Sequence, residues 1–214
     1  MIKHLLILLV ALYITDGRCG VSVVGTRFMI TDKMQQLNIK LVNDNESDYL
    51  IKSTVDDKDF IISPPLFLLK KGMSNIITII PKDKINHNRD KTVNLVITSI
   101  PKSTASDNVN SVSMAVRSHF KIIYRHRTID QTAFDNLKLI REDNQCLLVN
   151  HSDFSFTVSV ENEKKSARSR VINVIPGEKK ILDFAGLDSS CAGWITFYNE
   201  FDDVINVARS PKEP

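Results

Sequence analysis

The 214-residue chain lacks every common signature of catalysis. It has no Gly-x-Ser-x-Gly elbow, no glycine-rich phosphate loop and no Cys-x-x-Cys pair. Its histidines 87, 119, 126 and 151 never stand four apart, so no helix face carries a ligand pair. Ser63 precedes two prolines, which suits a turn rather than a nucleophile. Carboxylate pairs such as Asp56-Asp57 and Asp202-Asp203 sit in turn-like, solvated contexts. These gaps argue against an enzyme, and no cofactor or metal is expected. Aromatic residues make up only 7% of the chain, and no basic run interleaves with them. With 28 basic against 25 acidic residues the charge is balanced. Nucleic acid is therefore not an expected partner. Beyond the first residues no apolar run approaches the roughly 20 needed to cross a bilayer, so no membrane insertion is expected.

What is present begins at residue 1. Met1-Ile2-Lys3-His4 is a short basic start, Leu5 to Thr15 is almost unbroken apolar sequence, and Asp16 to Gly20 breaks it. That order is the pattern of a cleaved secretory signal, assigned here to residues 1–19, with Gly17 and Cys19 both offering small residues near the cut. Export permits disulfides. If Cys19 leaves with the signal, Cys146 and Cys191 remain as a pair. A bridge between them is the economical reading, and two buried free thiols are the alternative.

The remainder has a period of two. Leu37, Ile39 and Leu41 alternate with Asn38 and Lys40, Val112, Met114 and Val116 with Ser113 and Ala115, and Phe154, Phe156, Val158 and Val160 with Ser155, Thr157 and Ser159. Short β-branched runs occur at Phe60–Ile62, Ile76–Ile80, Val171–Ile175 and Trp194–Phe197. Turn-prone clusters separate them: Asn43 to Asp48, Ser63-Pro64-Pro65, Lys71-Gly72, Asn86-His87-Asn88 and Pro176-Gly177. Strands at such spacing predict an all-β chain of sandwiches. The one helix candidate is Ala133 to Glu142. The polar stretch Arg125 to Asp130 marks a boundary, giving domains at 20–127 and 128–214, each of a size that suits an immunoglobulin-like fold.

An ordered set of short runs resembles the periplasmic chaperones of the chaperone–usher pathway, which assemble fimbriae (pili). Thr26-Arg27 is similar to the start of that family's first strand. Tyr49-Leu50-Ile51 and Val55-Asp56 resemble its Pro-Tyr-Leu-Val and Val-Asp, with Asp48 in place of the proline. Phe60-Ile61-Ile62-Ser63-Pro64-Pro65-Leu66-Phe67 is the most recognisable run, and Gly72 follows at the family's Pro-Gly turn with Lys71 in place of the proline. Arg89-Asp90-Lys91 and Ser99-Ile100-Pro101-Lys102 also find counterparts. So does Ser118 to Arg125, where His126 replaces a closing proline. Asn150-His151-Ser152-Asp153-Phe154 resembles Asn-Pro-Thr-Pro-Tyr without its prolines, and Tyr198-Asn199-Glu200-Phe201 resembles Ile-Asn-Asp-Tyr. The short loop from Lys102 to Ser111 is similar to that of the short-loop branch, whose members serve rod-like pili.

The resemblance implies two immunoglobulin-like β-sandwiches in an L-shaped arrangement. It implies a chaperone that lends a strand to unfinished fimbrial subunits and delivers them to an outer-membrane usher. Val112, Met114 and Val116 would be the donor side chains. Arg27 and Lys121 would grip the subunit's C-terminal carboxylate. Asp90, Arg125 and Glu200 would form salt bridges between the domains. Self-association of the free chain through the donor strand is a further expectation. The competing reading is a secreted immunoglobulin-like adhesin or pilus component. Against it, few residues separate the signal from Thr26-Arg27, leaving no room for a donor extension of its own.

Overall fold

A computed structural model describes residues 20–82, 88–102, 113–125, 127–162, 170–183, 187 and 191–210. The signal sequence, Cys19, Val112 and His126 lie outside the described residues. The described chain is almost entirely strand and forms two β-sandwiches, each closed around its own apolar core.

The first sandwich takes nine strands: β1 (Val21–Val23), β2 (Phe28–Thr31), β3 (Leu37–Asn43), β4 (Tyr49–Val55), β5 (Phe60–Ser63), β6 (Leu66–Leu69), β7 (Ser74–Pro81), β8 (Lys91–Pro101) and β9 (Val116–Arg125). One sheet has the order β1-β3-β7-β5, the other β2-β9-β8-β4-β6. Alternation decides which residues enter: Ile39 and Leu41 of β3, Ile77 and Ile79 of β7, and Val93, Leu95 and Ile97 of β8 are buried while their neighbours face outward. Gly72 makes the β6–β7 turn at φ +66°, where an L side chain is disfavoured.

The second sandwich begins with a short helix, α1 (Gln131–Asp135), followed by β10 (Leu137–Glu142), β11 (Gln145–Asn150), β12 (Phe156–Glu161), β13 (Val171–Val174), β14 (Lys179–Ile181), β15 (Gly193–Tyr198) and β16 (Val204–Ser210). Its sheets run β10-β11-β14 and β13-β12-β15-β16. Phe134 of α1 packs on Phe156 and Phe197, with ring centroids 5.6 and 4.9 Å apart. The disulfide Cys146–Cys191, with Cα atoms 5.4 Å apart, ties β11 to the segment entering β15 and so joins the two sheets.

The helix expected over Ala133 to Glu142 is a misreading. The helix is one turn long, begins at Gln131 and is capped by Asp130, whose carboxylate accepts from the Ala133 amide at 2.9 Å. Leu137 to Glu142 pairs instead with β11. Asp143 and Asn144 hold φ of 50° and 64°, the two left-handed residues of a tight hairpin, and these enforce the strand pairing. The strand expected to run from Val112 also differs: β9 starts at Val116. On the β8 side the ladder stops opposite Ser99, and Pro101, which ends β8, has no amide to donate.

Candidate functional site

Two features of β9 set the site. The first is its edge. β8 pairs with β9 along Val116 to Tyr124, but β2 pairs with the other side only from Ile122 to Arg125. Among the described residues, nothing pairs with that outer edge from Val116 to Lys121. A bare edge presents amide and carbonyl groups ready to accept another strand. The second is its face. Ile122 and Tyr124 are buried, and by the period of two Val116, Ser118 and Phe120 share their side of the strand. The row runs off the end of the core. Phe120 still packs edge-on against Phe28 at 5.7 Å, whereas Val116 is 57% exposed and Met114, just before the strand, 75% exposed. Apolar side chains beside an unpaired backbone edge form an incomplete sandwich open to water. Of the expected donors, Met114 and Val116 are therefore placed at this edge, while Val112 lies outside the described residues.

At the far end of the open edge is a cleft of about 210 Å³ between the sandwiches, lined by Thr26, Arg27, Phe28, Lys121, Ser155 and Phe156 among others. Arg27 immediately precedes β2, and Lys121 is the last residue of β9 before β2 begins to pair with it. The structure thus brings the two expected cations to one cleft. They differ in occupancy. Arg27 is ion-paired with Asp202 and donates to the Asn199 carbonyl oxygen at 3.3 Å, both in the turn between β15 and β16. Among the described residues, Lys121 is exposed and has no ion-pair partner. Ser155 also faces the cleft, and its buried hydroxyl finds no hydrogen-bond partner there.

Behind the cleft the sandwiches are joined by Arg125 and Asp90. The Arg125 guanidinium donates to both Asp90 carboxylate oxygens, at 2.7 Å from Nη2 and at 3.0 and 3.3 Å from Nε. The same Nη2 reaches the Ser155 carbonyl oxygen at 2.7 Å, and the Ser155 amide donates to Asp90 at 2.8 Å. Asp90 and Arg125 belong to β8's approach and to β9, Ser155 to the approach of β12, so this knot spans the two cores. Glu200 stands outside it. It lines the adjoining cleft with Arg27 and Arg125 but makes no ion pair among the described residues. The facing edge of Arg125 is already filled by Asp90 and the Ser155 carbonyl. The second anion of the junction is Asp153, which receives Arg89 at 2.9 Å and Arg127 at 2.7 Å. Reading the sequence missed Asp153. Its signal was the departure itself, a carboxylate where the resembled pattern has a proline.

The match to the family described as "Pili and flagellar-assembly chaperone, PapD N-terminal domain" covers residues 20–130, more than half of the chain. The chain belongs to this chaperone family. Among similar proteins is the chaperone protein FocC of Escherichia coli, 27% identical over 214 residues, covering 86% of this chain and 94% of FocC. The chaperone protein SefB of Salmonella enteritidis is 26% identical over 92% of this chain and 85% of its own length. Solved structures agree on the fold. The periplasmic chaperone SfaE superposes with a TM-score of 0.66 at 22% identity, covering 89% of this chain and 99% of its own. A Salmonella enterica structure of SafA pilin in complex with the SafB chaperone gives 0.71 at 16% identity over 91% of this chain and 97% of the matched one. In this family chain, then, the open β9 edge and the two-cation cleft belong to an assembly chaperone with two β-sandwiches.

Proposed function

We propose that the chain is a periplasmic chaperone that binds fimbrial subunits, completes their fold by lending β9 and its approach as a donor strand, and delivers them to an outer-membrane usher. The observation that carries this is the β9 edge, unpaired among the described residues from Val116 to Lys121 beside exposed Met114 and Val116. A subunit short of one strand exposes the complementary defect. Main-chain hydrogen bonds across the edge satisfy both backbones, and alternate side chains fill the subunit's groove, the mode of strand addition by which chaperones complement pilins in general. Burying side chains such as Met114 and Val116 contributes roughly 1.5–3 kcal/mol each. We take Val112 as the third donor.

Arg27 and Lys121 supply the register. One residue of slip would turn every donor side chain to the wrong face. A C-terminal carboxylate held at a fixed point prevents it, and a guanidinium fork with a compact ammonium is a fitting pair of hands. The domains of this reading are 20–127 and 128–214, with the signal at 1–19 removed on export. The free chain would also self-associate through the same edge, and a monomer by light scattering at high concentration would exclude that.

Co-expression with a fimbrial subunit in the periplasm, followed by capture of the chaperone, tests the proposal. Wild type is expected to retain the subunit, while Arg27→Ala, Lys121→Ala and Met114→Asp lose it. Retention by all three variants at the wild-type level would sink the proposal.

A further inference from the structure

Arg27 is not waiting empty-handed. Its guanidinium already holds a carboxylate of its own chain, Asp202, and the Asn199 carbonyl oxygen behind it. The turn that presents Asp202 is strongly organised. The Asn199 side-chain oxygen accepts from the amides of Phe201 at 2.9 Å and Asp203 at 2.8 Å, its amide group reaches the Asp203 carboxylate at 3.1 Å, and its backbone amide donates to the Asp203 carbonyl at 2.9 Å. Asp202 itself sits at φ +68°, a conformation that aspartate and asparagine tolerate better than most residues. The side chain is 63% exposed, whereas that of Arg27 is only 24% exposed, so the carboxylate reaches the cation from the solvent side. Lys121, in the same cleft, has no such partner among the described residues.

We infer that Asp202 is a resident carboxylate that occupies Arg27 until a subunit's terminal carboxylate displaces it. This rests on the anchoring role given to Arg27 and Lys121 above. An ion pair formed at the surface is weak and readily exchanged. An incoming carboxylate gains from Arg27 only the difference between two like interactions, while it gains the whole of the interaction with the free Lys121. A strand ending without negative charge cannot displace Asp202 and gains from neither cation. Asp202 thereby sets how tightly the cleft holds a charged chain end, lowering that affinity by the work of displacing the resident pair. Because Arg27 precedes β2 and Asp202 lies beyond β15, their pair also bridges the sandwiches, so displacement releases one contact across the cleft. By reciprocity, a carboxylate that loosens this contact is itself held more weakly while the contact is intact.

The test uses the full mature chain and a synthetic peptide of alternating apolar and polar residues, once with a free C-terminal carboxylate and once as its amide. Asp202→Asn keeps the left-handed turn and the side-chain shape while removing the charge. It is expected to bind the free-acid peptide roughly two- to five-fold more tightly than wild type, with the difference shrinking in high salt. The amide peptide should bind wild type and Asp202→Asn more nearly alike, narrowing the preference of wild type for free acid over amide relative to the variant. Asp202→Gly, which also suits the turn, should behave as Asp202→Asn does. If Arg27→Ala and Lys121→Ala lose the preference for the free acid but Asp202→Asn binds it no more tightly than wild type, the resident-carboxylate inference is overturned and the anchor stands. If Arg27→Ala and Lys121→Ala keep that preference, the anchor itself falls and this inference with it.

Discussion

At the scale of single residues, burial decides which charges matter. The Asp90 side chain is 1% exposed and that of Arg125 13%, and each answers the other's charge directly. Asp90→Ala would leave a buried guanidinium with only a carbonyl oxygen, and a loss of about 3–5 kcal/mol is expected, read as a lower midpoint in urea denaturation. Ser155 presents the opposite case. Its hydroxyl is buried without a hydrogen-bond partner among the described residues, so Ser155→Ala should hold stability or raise it by about 1 kcal/mol in the same assay, and a fall would mean that the hydroxyl is bonded. Lys91 carries a pH dependence. Burial acts to lower its affinity for a proton, but hydrogen bonds and charge from Asp57 and Asp59 outweigh burial and hold the ammonium above its ordinary value of 10.5. A raised folded value means stability fully present below the unfolded value and lost as pH climbs through the folded one. The contribution should be flat at neutral pH and disappear only in strong alkali, and in Lys91→Met a stability titration should lack that alkaline step. Arg27, Asp90, Lys121 and Arg125 were legible only through ordered resemblance, because a lone charge in a strand pattern looks solvated. Asp153 was marked only by standing where the resembled pattern has a proline, and Asp202 reads from sequence as one of a solvated pair, because each acts on a residue far away in sequence.

At the scale of elements, period-two alternation was enough to find most strands, because each strand buries one face and the pattern follows from that alone. It failed where local chemistry competes with pattern. Leu137 to Glu142 holds residues at home in helix or strand, and the deciding signal was the pair Asp143-Asn144, which turns the chain back on itself. Alternation also could not say which face of Val112 to Val116 was free, since a donor row and a core row share one period. Only the short reach of β2 along β9 distinguishes them. The pairing of Cys146 with Cys191, left open against two free thiols, is a bridge spanning 45 residues between the sheets of the second sandwich. Replacing both cysteines by serine should lower stability by about 4 kcal/mol on the chain-entropy account, measured by denaturation with and without reductant. Reductant should leave the double variant unmoved and bring wild type down towards it.

At the scale of the molecule, the cleft exists only while the sandwiches hold their relative orientation. Each has a buried core of its own, one drawn from Phe28 to Tyr124 and the other from Ala133 to Phe197. The contacts that tie them together are directional: Arg125 with Asp90 and Ser155, Asp153 with Arg89 and Arg127, and Arg127 over the ring of Phe154 at 4.8 Å. Two self-sufficient cores joined by a few directional contacts can separate without unfolding, so cooperativity between them rests on those contacts. Arg125→Met keeps the bulk of the side chain and removes its charge. It strands the Asp90 carboxylate, which retains only the Ser155 amide. Wild type should melt as a single calorimetric transition, with van't Hoff and calorimetric enthalpies equal. In Arg125→Met the sandwiches should uncouple, the van't Hoff enthalpy falling below the calorimetric one as two overlapping transitions emerge. Because Ser155 and Phe156 of the second sandwich wall the cleft that holds Arg27 and Lys121, the variant should weaken subunit capture although no residue of the open β9 edge from Val116 to Lys121 has changed. A single transition at an unchanged midpoint, with full capture, would show that the junction orients nothing and that the cleft is held by packing instead.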